Sequence, residues 1–425
     1  MKMRDLFGWE TLLSFSMYGG TLRVLPVPGM YVWSIVFAAF GISIIWQSAS
    51  VLKYGIHIPN RVLASSLCLL ALLGWSIVTL IWSTISTAKL VTGDAYIVLN
   101  AVVPAIMLII NGHGKQNIGA RWIFGIFLAT TFIFFYCSFL RIESADSLYA
   151  VMLNIGTVDE TLDGLYLASG QALVAFAIIS LVWSIYVPRD RALAMSFSIF
   201  ALWLAMDSGA RGPVIWGVLS IICFIVIKLY RKVSLLHYLI LGVLFSIFVS
   251  GIIWVGLQNV DFLTDHFPFL NRFVLDKNRN YDELSSIGMR LQYYDRALSL
   301  FAESPIFGQG ALSFRSMAGL DSVYPHNIFL DALGDLGLVG FMFVATLILL
   351  GLKACCDILL SSGQVADNMC ATLFVYFLGM ELSSGYLYWS WLWPWLIVVI
   401  YTRGRTRLAG NALLACGPDD AVPHG

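Results

Sequence analysis

Apolar residues form long runs over most of the chain, separated by short polar segments. The runs cover residues 6–22, 30–47, 62–83, 96–111, 121–140, 164–187, 192–209, 212–230, 235–257, 326–352, 368–384 and 386–402. A helix needs roughly 20 mostly apolar residues to cross a bilayer. In lipid the backbone must satisfy its own hydrogen bonds, which a helix does within a single segment. The pattern therefore predicts an all-α, polytopic membrane protein with about twelve transmembrane helices.

One polar interruption, residues 258–325, is much longer than an ordinary loop. It divides the chain into N-terminal transmembrane helices (1–257), a large loop (258–325), C-terminal transmembrane helices (326–402) and a tail (403–425). Within the loop, the stretch "SSIGMRLQYYDRALSLF" has the character of a helix. We expect a loop of this length to be a functional element.

Composition supports the membrane assignment and narrows the partners. Of 425 residues, 59% are hydrophobic and only 12% are charged, and the mean hydropathy is +0.83. A soluble domain averages about 45–50% apolar and about 25% charged residues. The formal net charge of zero argues against nucleic acid as a partner. The seven cysteines form no CxxC pair, and we interpret them as small core residues rather than disulfides or metal ligands.

The distribution of lysine and arginine predicts the orientation in the membrane. With the N-terminus in the cytoplasm, fifteen basic residues fall at cytoplasmic ends of the spans. Outside the long loop, only four fall on the exterior side: Arg23, Lys89, Arg141 and Arg211. Both termini are therefore predicted to be cytoplasmic, and the long loop is predicted to face the exterior.

Three basic residues on the exterior side are candidates for chemistry. Arg211 lies between two spans joined by almost no loop, Arg290 lies in the helix-like stretch, and His326 lies where the loop re-enters the membrane. Each also has a structural explanation. Arg211 could reach lipid headgroups from the interface, and Arg290 could be a solvated charge on a loop helix. His326 could be a helix-start residue bonded to a backbone carbonyl.

Asp331 and Asp335 follow His326 at a spacing of four residues and so share one face of the next helix. Carboxylates within a membrane span are functional candidates. In the first turns of a helix, however, the helix dipole favours negative charge. We expect the two aspartates to be helix-start or orienting residues.

The residue types on the exterior side suit a lipid-linked pyrophosphate. Arginine makes bidentate contacts with phosphate oxygens. Histidine is the side chain most readily poised to take a proton near neutral pH. Arginines that stabilise a departing pyrophosphate and a histidine that deprotonates an attacking hydroxyl would together need neither a metal nor a cofactor.

Two adjacent motifs carry a resemblance to a known family. "GMRLQYYDRALSLFAESPIFGQG" is followed by "YPHNIFLDALGDLGLVG". Together they resemble the signature of the O-antigen ligase and bacterial polysaccharide polymerase superfamily. The motif positions are Arg290, Tyr294, Pro305, Gly308, Gly310, His326, Asn327, Asp335, Gly337, Leu338 and Gly340. The stretch "SGARG" around Arg211 is similar to the arginine-bearing turn of that family.

The resemblance implies a GT-C-like membrane glycosyltransferase of the cell inner membrane. Such an enzyme takes a glycan from undecaprenyl pyrophosphate on the periplasmic face and inverts the anomeric centre, without a metal. By carry-over, His326 would activate the acceptor hydroxyl, and Arg290 and Arg211 would bind the pyrophosphate. Tyr294 and Asn327 are assigned to substrate binding. The long loop would then be periplasmic.

The acceptor distinguishes two activities within the family. A ligase transfers the glycan to lipid A core, whereas a polymerase transfers it to another lipid-linked repeat unit. Family ligases tend to carry a further arginine where this chain reads "GLYLASGQALVAF", with Gln171. This departure leaves room for a polymerase, which the short external loop segments and the moderate chain length slightly favour. Candidate partners are the glycan donor, the saccharide acceptor, membrane lipids, and a chain-length regulator or flippase.

A transporter or flippase of lipid-linked sugars is the alternative function. That class predicts polar groups near the middle of spans and internal repeats between halves of the chain. Neither is evident in the sequence. Glycosyl transfer is therefore the favoured interpretation.

Overall fold

The computed structural model describes residues 60–83, 165–207, 211–230, 286–314, 324–361, 364–390, 392–393, 395–400 and 402. Regular structure in these ranges is helical throughout, which agrees with the all-α prediction. The runs predicted as spans at 6–22, 30–47, 96–111, 121–140 and 235–257 lie outside the described residues, as do the tail and much of the long loop. The total of about twelve spans and the position of the loop stay predictions.

The described ranges contain seven α-helices and two 3₁₀ turns with defined bounds, and residues 392–393, 395–400 and 402 are helical as well. The helices are α1 Asn60–Thr79, α2 Leu165–Tyr186, α3 Arg191–Asp207, α4 Arg211–Tyr230, α5 Ser286–Glu303, α6 Ile328–Ser361 and α7 Val365–Ser384. The 3₁₀ turns are Pro188–Asp190 and Leu387–Trp389.

The predicted bounds of α1 to α4 agree with the structure to within about one helical turn. The predicted end of α6 at residue 352 is too early, since the helix continues to Ser361. Lys353 and Asp357 interrupt the apolar run there, but lysine, leucine and alanine still favour helix. The run predicted as one span at 386–402 instead opens with the 3₁₀ turn Leu387–Trp389.

Three helices of the described ranges are long and apolar enough to cross a membrane, within the segments Gly212–Leu229, Ile328–Ser361 and Val365–Ser384. Shorter apolar helices lie at Leu63–Thr79 and Gly170–Tyr186. These helices support a multi-pass membrane protein.

The described residues fall into two compact units. The first contains 60–83, 297–314 and 324–402, and the second contains 165–207, 211–230 and 286–296. In the second unit, α2 packs against both α3 and α4. The α2–α3 connection is the 3₁₀ turn that begins at Pro188, and the hydroxyl of Ser198 donates a 2.8 Å hydrogen bond to the carbonyl of Ala177 on the facing helix.

In the first unit, α6 packs against α1 and α7. Nearly all of α7 is buried, whereas α1 exposes the large apolar side chains of Leu67, Leu70 and Ile77. Exposed leucine and isoleucine on one face, with buried residues opposite, are expected where a helix meets lipid on one side and protein on the other.

A break in α6 at Gly337 is the main irregularity of the first unit. Gly337 has φ 66° and ψ −164°, so the chain is not helical there. The break frees backbone groups of neighbouring residues, and the turn after α5 pairs with them. The amide of Leu338 donates to the carbonyl of Pro305 at 2.9 Å, and the amide of Gly310 donates to the carbonyl of Asp335 at 2.9 Å.

Two further backbone bonds complete this pairing. The amide of Gln309 donates to the carbonyl of Gly334 at 3.0 Å, and the amide of Val339 donates to the carbonyl of Ile306 at 3.3 Å. We call residues 305–310 the glycine turn. The turn and the broken helix satisfy each other's backbone groups, which apolar surroundings require.

Aromatic side chains from α1 and the residues after it cover the glycine turn. The indole N–H of Trp75 donates to the carbonyl of Leu336 at 3.0 Å, and that of Trp82 donates to the carbonyl of Gly308 at 3.2 Å. Both indole rings also contact Phe307, with centroids 5.9 Å and 6.5 Å away. α1 therefore helps to hold the turn against α6.

Replacing Gly308 or Gly337 with alanine tests this pairing. Gly308 has φ 73°, and a Cβ there would collide with the backbone of Asp335 and Gly337, while a Cβ on Gly337 would collide with the backbone of Gly308 and Ile306. We expect backbone strain alone to destabilise the fold by about 1–3 kcal/mol for each substitution. The collision of the added Cβ should lower the stability further. The measurement is the unfolding temperature of the protein in detergent.

Gly74→Ala is the matched control. Gly74 is an exposed residue of α1, and a Cβ there would meet no atom within 4 Å. The substitution should leave the unfolding temperature unchanged or raise it slightly, because alanine favours helix. Equal unfolding temperatures for Gly74→Ala and Gly308→Ala would contradict the proposed packing.

Candidate functional site

His326 stands just before α6 with an unusual backbone conformation. Its φ is 62°, in the left-handed region. Few residues other than glycine adopt this region, although histidine does so more often than most. Such conformations cost free energy, persist where the surroundings enforce them, and cluster at functional sites. The backbone conformation of His326 is therefore consistent with a functional role for this residue.

Asn327 caps α6 and ties it to the end of α7. Its Oδ1 accepts hydrogen bonds from the amides of Phe329 at 3.0 Å and Leu330 at 3.2 Å. Its Nδ2 donates to the carbonyl of Leu382 at 3.0 Å. The bonds to Oδ1 are typical of an N-cap, and the bond from Nδ2 is a separate contact with α7. Substrate binding by Asn327 stays a prediction.

A row of aromatic rings leads from His326 into the protein. The imidazole lies against the ring of Tyr324, with centroids 4.4 Å apart and planes at 53°. Tyr324 in turn stacks on Tyr386, with centroids 4.6 Å apart and planes at 21°. Tyr386 meets Tyr388 edge-on at 5.6 Å. The first three rings are half-buried and Tyr388 is fully buried.

Asp331 and Asp335 are buried, each with 1% of its surface exposed. The Oδ2 of Asp331 accepts a 2.8 Å hydrogen bond from the amide of Leu387, and the Oδ1 of Asp335 accepts a 2.9 Å hydrogen bond from the amide of Phe314. A carboxylate that accepts from a backbone amide makes one of the stronger hydrogen bonds in proteins. These bonds fix two distant segments against α6 and support the orienting role expected for both aspartates.

Arg290 and Tyr294 both lie on α5, one helical turn apart, so they share a face of that helix. Both side chains are half-buried. They belong to the second unit, whereas His326 belongs to the first. Their assembly with His326 into one site stays a prediction.

Arg211 is the first residue of α4; its side chain lies outside the described residues. The N-terminus of a helix carries partial positive charge, so a cation there is unfavourable unless an anion is nearby. Helix N-termini also bind phosphate groups. The position is therefore compatible with a phosphate ligand.

No group of three or more histidine, cysteine, aspartate or glutamate residues in the described ranges could hold a metal ion. The prediction that the reaction needs no metal is not tested by this finding.

Residues 196–345 match the family described as O-Antigen ligase. The match covers about a third of the chain and supports a relationship to the O-antigen ligase-like superfamily. The resemblance drawn from the motifs is thereby confirmed. The matched segment runs from α3 to the middle of α6 and contains Arg211, Arg290 and His326. Among curated proteins, none matches the chain.

The match supports glycosyl transfer in a membrane as the general activity. The glycine turn and the break at Gly337 both lie inside the matched segment. Their mutual hydrogen bonds give a physical reason for the two glycine-containing motifs, since each needs the other to satisfy its backbone.

Sequence reasoning did not identify three residues that contact this region. They are Tyr324, Tyr386 and Glu381, whose Oε2 accepts a 3.2 Å hydrogen bond from the amide of Tyr386. Tyr324 and Tyr386 stand in the stretches "VYPHN" and "SSGYLYW". The position of Tyr324, an aromatic residue two positions before the histidine, was a local signal for a role near His326. The sequence carried no signal for its pairing with Tyr386.

The orienting role of Asp335 predicts that its hydrogen-bond acceptor matters more than its charge. Asp335→Asn keeps an acceptor for the amide of Phe314, whereas Asp335→Ala removes this buried acceptor altogether. We expect the alanine variant to lose about 1–3 kcal/mol of stability and the asparagine variant to lose less. The measurement is the unfolding temperature in detergent, together with glycan assembly in cells. Full loss of glycan assembly by Asp335→Asn in a stable protein would contradict a purely orienting role.

Proposed function

We propose that this protein is a metal-independent, inverting glycosyltransferase that moves a glycan from undecaprenyl pyrophosphate to an acceptor sugar on the periplasmic face of the inner membrane. The observation that carries the proposal is the family match, which spans Arg211, Arg290 and His326. The left-handed backbone conformation at His326 gives independent support.

In this proposal His326 is the general base. A ring nitrogen takes the proton of the acceptor hydroxyl as the hydroxyl oxygen attacks the anomeric carbon of the donor. The bond between that carbon and the pyrophosphate oxygen breaks, and undecaprenyl pyrophosphate leaves. Attack opposite the leaving group inverts the anomeric centre in a single step.

Arg290 and Arg211 bind the pyrophosphate in this reaction. Negative charge grows on the leaving oxygen as the bond breaks, and guanidinium groups placed there lower the barrier. Tyr294 shares the face of α5 with Arg290 and contributes to donor binding. Asn327, which follows the base in the chain, contributes to substrate binding.

The activity is that of a polymerase or a ligase, with a polymerase slightly favoured. Gln171 of α2 stands where family ligases tend to carry an arginine. We place the large periplasmic loop at 258–325, between transmembrane regions 1–257 and 326–402, and the tail 403–425 in the cytoplasm with the N-terminus. A chain-length regulator or a flippase is the expected protein partner.

Replacement of His326 tests the base. Asparagine tolerates the left-handed backbone found here but cannot take the proton, so His326→Asn separates chemistry from folding. We expect glycan transfer to fall by about 100-fold or more, with normal amounts of protein in the membrane. The assay incubates membranes with the lipid-linked glycan extracted from cells that lack the gene. Wild-type activity in this variant would exclude the base assignment.

A glycine variant provides a rescue test. His326→Gly relaxes the backbone, since glycine adopts positive φ freely, and opens space where the imidazole was. Added imidazole should restore part of the activity to His326→Gly and none to His326→Asn, in which the amide fills the site.

Arg290→Lys tests the bidentate phosphate contact. Lysine keeps the charge but loses the planar pair of donors. We expect a loss on the order of 100-fold in transfer. Arg296→Lys, on the same helix, is the control and should remain active. If Arg290→Lys were as active as the control Arg296→Lys, Arg290 would be a solvated charge rather than a phosphate ligand.

Deletion of the gene followed by a gel of surface glycans distinguishes the acceptors. Unmodified core together with long lipid-linked polymer indicates a ligase. Core capped by one repeat unit, or loss of exopolysaccharide, indicates a polymerase. Unchanged glycans with a defect in the uptake of a solute would contradict both and favour a transporter.

A further inference from the structure

We propose that Tyr386 is a positioning residue for the His326 base and that it acts through Tyr324. The inference rests on the proposed function, because it concerns the orientation of the group assigned as base. Tyr386 lies outside the matched segment 196–345, and no motif assigned it a role.

The first step is the contact between His326 and Tyr324. The ring centroids are 4.4 Å apart, within the range of favourable aromatic pairs. The second torsion of a histidine side chain is broad and poorly restricted by its own backbone. The Tyr324 ring therefore helps to restrict the direction in which the imidazole nitrogens point.

The second step is the support of Tyr324 itself. Its ring contacts both His326 and Tyr386, and the Tyr386 contact is the more nearly parallel of the two, at 21°. Without the Tyr386 ring, Tyr324 would lose its most nearly parallel ring contact and could shift, and the imidazole packed against it could shift as well. A general base that moves by about 1 Å can lose on the order of 100-fold in rate.

The third step is the anchoring of Tyr386. Its amide donates to Glu381 at 3.2 Å, and the amide of the next residue, Leu387, donates to Asp331 at 2.8 Å. A Cβ on Gly385 would collide with Glu381, so the chain passes close against the end of α7. The backbone on both sides of Tyr386 is thus bonded: its own amide to α7, and the amide of Leu387 to α6.

Asn327 adds a further tie between the same two segments through its bond to the carbonyl of Leu382. The segment at 324–331 and the segment at 382–387 are therefore joined by two hydrogen bonds and one ring stack. A substitution in the second segment should act on the base in the first.

The test compares Tyr386→Phe with Tyr386→Leu. Phenylalanine keeps the stacked ring and should retain transfer within about twofold of the wild type. Leucine removes the ring and should lower the maximal rate by about 10- to 100-fold, with little change in the donor concentration that gives half-maximal rate. The substrate is the lipid-linked glycan extracted from cells that lack the gene. Phe341→Leu, which removes a different aromatic pair of α6, is the control and should remain active.

A double-variant cycle separates positioning from folding or substrate binding. If Tyr386 acts only through His326, Tyr386→Leu should lower the residual activity of His326→Asn no further. A further loss in that background, or a change confined to the half-maximal donor concentration, would overturn the inference. Full activity of Tyr386→Leu together with an inactive His326→Asn would also overturn the inference, but the assignment of His326 as the base would remain. Full activity of His326→Asn would remove the base and the inference together.

Discussion

The need to satisfy backbone hydrogen bonds in apolar surroundings governs the first unit of this protein. α6 breaks at Gly337, and the break removes the helical partners of amides and carbonyls on either side of it, among them the carbonyls of the buried residues Gly334 and Asp335. The glycine turn supplies the missing partners through four backbone hydrogen bonds. This pairing requires glycine at both points of close approach, because a Cβ on Gly308 or on Gly337 would enter the backbone of the other segment.

The pairing has consequences for the residues before the break. Once the N-terminal part of α6 is fixed, its buried aspartates hold other segments in place. Asp335 bonds the amide of Phe314, and Asp331 bonds the amide of Leu387. The second bond places the Leu387 segment, and so Tyr386, against the residues that precede α6. The helix break and His326 are therefore connected through Asp331, the Leu387 segment, Tyr386 and Tyr324.

Much of this was accessible from the sequence, though unevenly. Hydrophobic runs predicted α1 to α4 well, because a helix across an apolar environment leaves a continuous local signal. The break at Gly337 was not predicted, because Gly334, Gly337 and Gly340 lie in the same apolar run and a glycine inside a helical pattern is usually tolerated. The end of α6 was missed because Lys353 and Asp357 ended the apolar run before the helix ended. His326 was singled out from its position and its chemistry, whereas Tyr386 was not.

The sequence by itself determined that the chain is helical and built for a membrane, and its motifs indicated the superfamily and the candidate residues Arg211, Arg290 and His326. These conclusions rest on composition, periodicity and short spacings, which are local properties of the chain. The tertiary structure decided which segments meet: the glycine turn with Gly337, and Tyr324 with Tyr386. Such pairs are far apart in sequence, and only the packing of α6 against its neighbours brings their backbones and rings within reach of each other.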